Sequence, residues 1–506
     1  MEPLFAAFDL VFRWEIFAVI LGSCVFGIFA GAMPGISATV AVALLVPITF
    51  FMEPVAALAA IATAVAMAIF AGDLPGALLR IPGMPASAAY AEEAHEMTMK
   101  GQGGTILMVS LLCSVLGGLV GTLALAFSAP LLADFALEFQ YYEYFWLACL
   151  GLSTAALVAA TNPVKGMISL SIGLLLATVG LDMISGQPRF TFGTLGLMEG
   201  IHFIPVMIGI FAIAEVLRTL IHPPRADARN ARVQKIDFRE AYRIIWRYKA
   251  NLARGSLFGT LIGALPGAGS DIAAWVSYGY ARKRSKTPEK FGTGHPEGIV
   301  AASASNNAAT SSTWVPSLVF GIPGDSVTAI VIGVLFLKGL EPGPNVFIEN
   351  APLVYSIFVS FFIANLVLIP VGYVAIRAAS QLLKVSNNIL MPIILIFTLV
   401  GAYSINNSMM GVAVALAAGI GSFFMQENDF PVAPLILGMV IGTLLEQNFM
   451  QAMIAQQGDL TAFFSRPIAA SLGVVTILIW VTPLVGAVRR WRNRQRARAT
   501  DGDQNV

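Results

Sequence analysis

Three carboxylates lie next to glycine-containing interruptions of otherwise apolar sequence, where few charged residues occur. They are Asp73, Asp271 and Asp325. Ionisable residues at such positions in membrane helices are costly and usually serve a function. Each carboxylate could bind a coupling cation, Na+ or H+, together with main-chain carbonyls that a broken helix leaves free. The alternative is structural, because an Asp at the start of a helix also accepts backbone N–H bonds as an N-cap.

A run of amides and hydroxyls lies between the second and third of these carboxylates. Asn306, Asn307 and Thr310 belong to it, and hydroxyl residues continue to position 313. Such side chains can contact a polar solute inside a membrane protein. They can equally form hydrogen bonds between neighbouring helices, and the sequence leaves both interpretations open.

The elements that must position these groups are apolar helices interrupted at the Pro-Gly pairs 34–35 and 266–267. Proline removes a backbone donor and glycine loosens the helix. Freed backbone groups cost several kcal/mol in lipid unless protein or a water-filled cavity satisfies them. Broken helices of this kind form solute sites, since the half-helix after a break presents unpaired N–H groups to an anion. We expect these half-helices to begin at Ile36 and Ala268.

The residues expected to bind solute therefore cluster at the interruptions and in the amide-rich run. Glycine at positions 35 and 267 would let the backbone turn sharply, and Ser37, Thr39, Gly269 and Ser270 would lie nearest the anionic groups. The candidate solute-binding residues are Gly35, Ser37, Thr39, Gly83, Gly267, Gly269, Ser270, Asn306, Asn307, Thr310 and Gly324.

The interrupted pattern occurs twice. Residues 25–35 align with 257–267, with Phe, two Gly, Ala, Pro and a final Gly coinciding. Downstream, the Ile-Pro-Gly sequence at 81–83 corresponds to 322–324, and the Lys-Gly pair at 100–101 corresponds to 338–339. The same motifs in the same order predict an internal duplication with a broken helix in each half.

Glycines spaced four residues apart precede both interruptions. They are Gly27 and Gly31 in the first half, and Gly255, Gly259 and Gly263 in the second. This spacing places small residues on one helix face, so a second helix can approach closely. We interpret these glycines as packing residues rather than as solute ligands.

The composition is that of a membrane protein. The chain has 506 residues, of which 57% are hydrophobic and 12% are charged. Apolar runs of about 20 residues, the length that crosses a bilayer, recur throughout and predict an all-α polytopic protein with roughly 10–14 membrane segments. The three cysteines and four histidines lack ligand spacing, so we expect no metal site beyond a coupling cation and no cofactor. The sequence contains no phosphate-binding loop motif, which argues against nucleotide hydrolysis. We do not expect the protein to be an enzyme.

Clusters of basic residues predict the topology. Residues 222–254 and the tail after 489 are rich in Lys and Arg, so both are expected on the cytoplasmic side. Basic residues beside membrane spans orient most membrane proteins, so they give no reason to expect nucleic-acid binding. The acidic N-terminus is expected outside, whereas the basic residues that lead into the second half are expected inside. The two halves would therefore have opposite orientations and form inverted-topology repeats, with broken helices or re-entrant hairpins. We predict a first membrane repeat over 1–221, a cytoplasmic linker over 222–254, a second repeat over 255–488 and a cytoplasmic tail over 489–506.

The interrupted motifs together resemble a known family. The sequence from Gly31 to Ser37, the sequence from Gly263 to Asp271 and the Gly-Ile-Pro-Gly-Asp turn ending at Asp325 are similar to the large membrane subunit of the tripartite tricarboxylate transporter family. The His-Pro-Glu-Gly sequence at 295–298 and the run ending at Asn307 extend the resemblance, which covers about 16–489.

The resemblance implies a multi-pass protein of the bacterial inner membrane that acts as a secondary active transporter. A periplasmic solute-binding protein would deliver an organic di- or tricarboxylate such as citrate, or an aromatic carboxylate. A small membrane subunit would complete the complex in the bilayer, and an ion gradient would drive symport.

Two other classes of protein remain as alternatives. A channel-forming or scaffold subunit would need no solute-binding protein. An intramembrane aspartyl protease is suggested by the sequence Gly267-Ala-Gly-Ser-Asp271, although its Asp lies one residue too late for the protease motif G-x-G-D.

Overall fold

The computed structural model describes residues 2–33, 35–158, 163–182, 185–222, 236–383, 387–405 and 407–481, and these residues are almost entirely helical. Two short strands, β1 (Gly180–Leu181) and β2 (Pro188–Arg189), form an antiparallel pair in which Gly180 lies opposite Arg189. The α-helices are α1 (Glu2–Val11), α2 (Trp14–Ala32), α3 (Ala38–Thr49), α4 (Pro54–Ala71), α5 (Asp73–Leu79), α6 (Ala91–Met97), α7 (Gly103–Ala136), α8 (Tyr141–Val158), α9 (Pro163–Ala177), α10 (Phe203–Ile208), α11 (Ala214–Ile221), α12 (Phe238–Arg247), α13 (Lys249–Gly263), α14 (Gly269–Arg284), α15 (Pro296–Ser312), α16 (Trp314–Phe320), α17 (Ser326–Leu337), α18 (Val346–Glu349), α19 (Ala351–Leu382), α20 (Asn387–Ser404), α21 (Met409–Glu427), α22 (Ala433–Ala455) and α23 (Pro467–Val481).

Shorter helical turns join some of these elements. Turns of 3-10 helix lie at Ser87–Ala89, Leu195–Leu197, Pro288–Lys290 and Leu460–Phe464, and π-helical turns lie at Thr98–Gln102 and Gly209–Ile213.

Seven helical stretches of the described chain are long and apolar enough to cross a membrane, and five shorter apolar helices accompany them. The long stretches are Trp14–Ala32, Pro54–Leu79, Ala91–Ala136, Phe203–Ile221, Ala351–Leu382, Met409–Glu427 and Ala433–Ala455. The predicted all-α polytopic membrane fold is therefore confirmed.

Each Pro-Gly interruption separates two helices that form a hairpin. Helix α2 ends at Ala32 and α3 begins at Ala38, while α13 ends at Gly263 and α14 begins at Gly269. Gly35 has φ +96°, Gly267 has φ +77° and Gly269 has φ +67°. Only glycine adopts this left-handed backbone without strain, which explains why glycine occupies the turn in both halves. Helix α3 begins two residues after the predicted Ile36, and α14 begins one residue after the predicted Ala268. Pro34 lies outside the described residues.

Glycines on α2 and α13 bring two pairs of helices into backbone contact. A Cβ added at Gly31 would lie 2.4 Å from the carbonyl oxygen of Ala68 on α4. A Cβ at Gly259 would lie 2.2 Å from the carbonyl oxygen of Ser305 on α15. The packing interpretation of these glycines is confirmed.

Helices α4 and α15 lie at corresponding places in the two halves and form the core. Helix α4 packs against α2 and α19, whereas α15 packs against α13 and α7. Each central helix therefore contacts one helix of its own half and one long helix of the other half. Both central helices are buried along almost their whole length.

Two lysines at equivalent positions bind reciprocal loops. Lys100 donates to the carbonyl oxygen of Thr293, in the loop between α14 and α15. Lys338 donates to the carbonyl oxygens of Phe50 (2.8 Å) and Met52 (2.6 Å), in the loop between α3 and α4. Each half thus holds the equivalent loop of the other half. The division into repeats over 1–221 and 255–488 stays a prediction, and most of the basic linker (223–235) and the tail (489–506) lie outside the described residues.

Candidate functional site

A cavity of about 640 Å³, here called the central cavity, lies where the interruptions of both halves meet. Its walls come from the α2–α3 turn, the 82–85 segment, the α13–α14 turn, α15, the start of α17 and α11. The sequence-predicted residues that line it are Gly35, Ser37, Thr39, Gly83, Gly267, Gly269, Ser270, Asp271, Thr310 and Asp325. Residues that are far apart in the sequence therefore line the same cavity.

The N-termini of α3, α14, α17 and α22 contribute to the cavity lining, and those of α3 and α14 directly follow the Pro-Gly interruptions. Ser37 is the N-cap of α3, and its Oγ accepts a hydrogen bond from the backbone N–H of Val40 at 3.3 Å. Helix α14 follows Ala268, which has no side chain able to cap it. The first N–H groups of a helix have no intrahelical partner and carry partial positive charge. The start of α14 can therefore donate hydrogen bonds to an anion in the cavity.

Asp271 connects the two halves across the cavity wall. The backbone N–H of Ala86 donates to its Oδ1 at 3.0 Å. Ala86 follows the Pro-Gly-Met-Pro segment of the first half, so the carboxylate fixes that segment to the first turn of α14.

Asp325 caps α17 with a reciprocal pair of hydrogen bonds. Its Oδ1 accepts from the backbone N–H of Thr328 at 2.8 Å, and its own N–H donates to the Thr328 hydroxyl at 2.9 Å. The helix-capping interpretation thus holds for Asp325. Cation binding by Asp271 or Asp325 stays a prediction.

Asp73 lies apart from the central cavity. It is 3% exposed, and its carboxylate accepts hydrogen bonds from the Tyr90 and Ser110 hydroxyls. The three carboxylates that look alike in the sequence therefore have three different environments.

Asn306, Asn307 and Gly324 do not line the central cavity. The Asn307 amide donates to the carbonyl oxygen of Ser114 on α7 at 3.0 Å and to Asn365 Oδ1 on α19 at 3.5 Å, so it forms hydrogen bonds between helices. A Cβ at Gly324 would lie 2.7 Å from the carbonyl oxygen of Thr313, which indicates packing. Asn306 is buried, and its Oδ1 has no hydrogen-bond partner among the described residues.

The sequence analysis missed one wall, which α11 supplies. Glu215, Arg218, Thr219 and His222 all line the cavity. Spacings of three and four residues place Glu215, Arg218 and Thr219 on one face of α11, and His222 directly follows the end of the helix. Charged residues at this spacing in the apolar run over 200–221 are the signal that could have identified them.

Glu215 also explains the glycine opposite it. A Cβ at Gly35 would lie 2.8 Å from Glu215 Oε1, so any side chain at position 35 would displace the carboxylate. The Thr219 hydroxyl donates to the same oxygen at 3.4 Å.

The charged residues that line the central cavity are mostly acidic. Glu215, Asp271 and Asp325 carry carboxylates, while Arg218 is the sole Lys or Arg side chain among the described lining residues. Arg218 forms no salt bridge within the described chain, and His222 lies 3.6 Å from Glu427. An anion bound here would meet one guanidinium and the N–H groups of α14.

Comparisons with known proteins agree over nearly the whole chain. Residues 16–437 match the sequence model of the Tripartite tricarboxylate transporter TctA family. An uncharacterized 52.8 kDa protein in the TAR-I ttuC' 3' region of Agrobacterium vitis is 36% identical over 486 residues, which cover 95% of this chain and 94% of that protein. An uncharacterized protein in the TAR-II ttuC' 3' region of Agrobacterium vitis is 37% identical over 234 residues, which cover 46% of this chain and 97% of that protein. No solved structure is significantly similar to this chain.

Proposed function

This chain belongs to the tripartite tricarboxylate transporter TctA family, and from that premise we propose that it imports organic carboxylates across a bacterial inner membrane. As a member of this family it is the large membrane subunit of a tripartite transporter. In the proposal, a periplasmic solute-binding protein delivers the solute, a small membrane subunit completes the complex, and a Na+ or H+ gradient drives symport. Its solutes are di- or tricarboxylates such as citrate.

The observation that carries this proposal is the convergence of both Pro-Gly interruptions on the central cavity. Helix N-termini contribute roughly 0.3–1 kcal/mol each to binding an anion at exposed sites, and more when desolvated. The Ser37 hydroxyl uses a lone pair to cap α3, so its hydrogen is free to donate to a solute carboxylate. A solute with two or three carboxylates can contact both interruptions at once.

The charge of the cavity supports coupling to a cation. An anionic solute entering beside Glu215, Asp271 and Asp325 is repelled unless positive charge accompanies it. Arg218 supplies one positive charge, and binding of a co-transported cation to the protein would further reduce the net negative charge around the solute.

Reconstitution of the complete three-subunit complex in proteoliposomes tests the proposal. We expect uptake of radiolabelled citrate or succinate to require the solute-binding protein and an inward Na+ or H+ gradient. Uptake that proceeds equally well without the binding protein would favour the channel alternative and refute the proposal.

Glycine variants connect that transport to the central cavity. Gly35→Val and Gly267→Val should abolish uptake, because both positions have left-handed backbone and Gly35 also faces Glu215. Gly339→Val is the matched control, since Gly339 has φ +71° but no atom within 4 Å of an added Cβ, and it does not line the cavity. Equal loss in all three variants would mean that backbone strain alone caused the defect.

The protease alternative requires two carboxyl groups free to share one proton. Asp271 accepts a main-chain hydrogen bond from Ala86, and Asp325 is held in the N-cap of α17. Both carboxylates are thus used in structure, which favours the transporter.

A further inference from the structure

A second polar cluster lies outside the central cavity, within the buried core. We define the Asp73 cluster as Asp73, Tyr90, Ser110 and Asn306, all of which are no more than 3% exposed. The Tyr90 hydroxyl donates to Asp73 Oδ1 at 2.7 Å, and the Ser110 hydroxyl donates to Asp73 Oδ2. Tyr90 also interacts with the side chains of Asn306 and Ser110, so the four residues form one connected group.

No Lys, Arg or His among the described residues forms an ion pair with this carboxylate. In the described chain Asp73 forms no salt bridge, and the elements packed against α5 are α2, α4, α6, α7 and the 3-10 turn at 87–89. On α6, Glu92 pairs with Arg80, and Glu93 accepts N–H bonds from the loop at 292–295. The His95 ring nitrogen lies 3.1 Å from the carbonyl oxygen of Ala77. These packed elements carry the ionisable side chains Glu15, Cys24, Glu92, Glu93, His95, Glu96, Cys113 and Asp134, and Tyr90 directly precedes α6.

A carboxylate this deeply buried without a counter-charge is unstable as an anion, so it needs a proton or a metal cation. Each oxygen of Asp73 already accepts a hydrogen bond from a hydroxyl, so a Na+ ion could bind the carboxylate only if these hydroxyls turned or moved away. A proton, by contrast, needs only one change in the hydrogen bonding.

The cluster contains the acceptor that this change requires. When Asp73 is ionised, its two oxygens accept from two hydroxyls. When Asp73 is protonated, its own O–H must donate, and one hydroxyl must turn toward another acceptor. The Asn306 amide contacts Tyr90, and its buried Oδ1 has no partner in the described part of the chain. The Asn306 amide N–H faces the Tyr90 oxygen, and a rotation of the amide that brings Oδ1 to that place would let Asn306 receive the displaced hydrogen bond.

We propose that Asp73 is the proton-binding residue of this transporter, with Tyr90, Ser110 and Asn306 as the groups that stabilise its two protonation states. The proposal rests on the proposed function and specifies it, because it identifies H+ as the coupling ion and separates the ion site from the solute cavity.

The main chain connects the Asp73 cluster to the central cavity on both sides. The carbonyl oxygen of Gly72 accepts from the Gly83 N–H at 3.1 Å and from the Ser87 hydroxyl at 3.3 Å, and Gly83 lines the cavity. The carbonyl oxygen of Asn306 accepts from the hydroxyl of Thr310, which also lines the cavity. If α5 or Asn306 moves when the proton binds, one hydrogen bond therefore transmits that movement to a residue of the cavity lining.

Infrared difference spectroscopy of the purified complex tests proton binding without any solute. We expect the carbonyl stretch of a buried carboxylic acid to appear on going from alkaline to acidic buffer and to be absent in Asp73→Asn. Ser110→Ala should keep this band and move it to higher frequency, because a hydrogen bond to the carboxyl group is lost. Ser312→Ala is the matched control, since that buried hydroxyl donates only within its own helix. A band that Asp73→Asn leaves unchanged would overturn the proposal.

Transport in proteoliposomes tests coupling. With the membrane potential held at zero, a carrier that moves one proton with each citrate anion accumulates citrate about tenfold for each unit of pH difference at equilibrium. We expect Asp73→Asn to lose this accumulation but to retain citrate exchange, because asparagine mimics the neutral carboxyl group and keeps both hydrogen-bonding positions. Accumulation driven by a pH gradient in Asp73→Asn, or wild-type accumulation that needs Na+ and ignores pH, would refute Asp73 as the coupling site. A titrating infrared band with no citrate or succinate uptake by the wild type would instead refute the proposed function and leave proton binding at Asp73 supported.

Discussion

The close crossing of α13 and α15 gives a quantitative prediction at Gly259. A Cβ there would lie 2.2 Å from the carbonyl oxygen of Ser305, 2.8 Å from its Cα and 2.9 Å from Ala308 Cβ. Two of these atoms belong to the backbone and cannot rotate away. Ordinary contact begins near 3.4 Å, so Gly259→Ala must separate the helices by about 1 Å.

Overpacking of this kind costs typically 1–3 kcal/mol. Alanine regains up to about 1 kcal/mol through its better helix propensity. We therefore expect a net destabilisation of up to about 2 kcal/mol for Gly259→Ala. Gly279→Ala is the matched control, because Gly279 is also helical but has no atom within 4 Å of an added Cβ, so it should be neutral or stabilising.

Thermal unfolding in detergent, followed by tryptophan fluorescence, measures the difference between the two variants. Citrate uptake measures its consequence for the site, because α13 leads directly into the turn that carries Gly267 and Gly269. We expect uptake to fall for Gly259→Ala and to persist for Gly279→Ala. Equal melting temperatures for the two variants would show that the crossing is looser than described and refute the reasoning.

Three further predictions concern the central cavity and the topology. Ser37→Ala should weaken citrate binding and raise its half-saturating concentration about fivefold, since a cap and a donor contribute roughly 1 kcal/mol; normal uptake kinetics would exclude Ser37 from the site. Asp271→Asn should keep the bond from Ala86 and the assembled complex but change the half-saturating concentration of citrate, because it removes one negative charge from the cavity lining; unchanged uptake kinetics would exclude Asp271 from the solute site. In a cysteine-free background, an impermeant thiol reagent applied to intact cells should label Phe192→Cys and not Arg239→Cys, because the basic loop is predicted to be cytoplasmic; the reverse pattern would contradict the topology.

The interruptions could be predicted from the sequence because their causes are local. Proline and glycine restrict or free the backbone wherever they occur, so residues 25–35 and 257–267 indicate broken helices without any knowledge of the fold. The packing role of the glycines spaced four residues apart could be predicted in the same way, since helix periodicity alone places them on one helix face. The structure adds their partners, Ala68 and Ser305 among them.

The roles of the three carboxylates could not be distinguished in this way. Each lies beside a glycine, but the atoms that bind it come from elsewhere: Asp73 binds residues on α7 and before α6, and Asp271 binds Ala86, 185 residues away. Asn306 and Asn307 are adjacent, yet successive helix positions differ by about 100° and so face different neighbours. The missed α11 wall has the same cause, because only tertiary packing shows which face of a helix borders a cavity.

The exchange of partners between the halves has a consequence for synthesis in the cell. Helix α4 is covered by α19, which follows it by almost 300 residues. During insertion from the N-terminus, α4 therefore meets lipid before its final neighbour exists, and it contains only one hydroxyl and no charge. Helix α15 is made after both of its covers, α7 and α13, and it carries asparagine, serine and threonine on every side. Polar groups that lipid would not accept can thus enter a protein interior that is already in place. The order of translation is therefore compatible with an apolar α4 and a polar α15, two helices that occupy equivalent places.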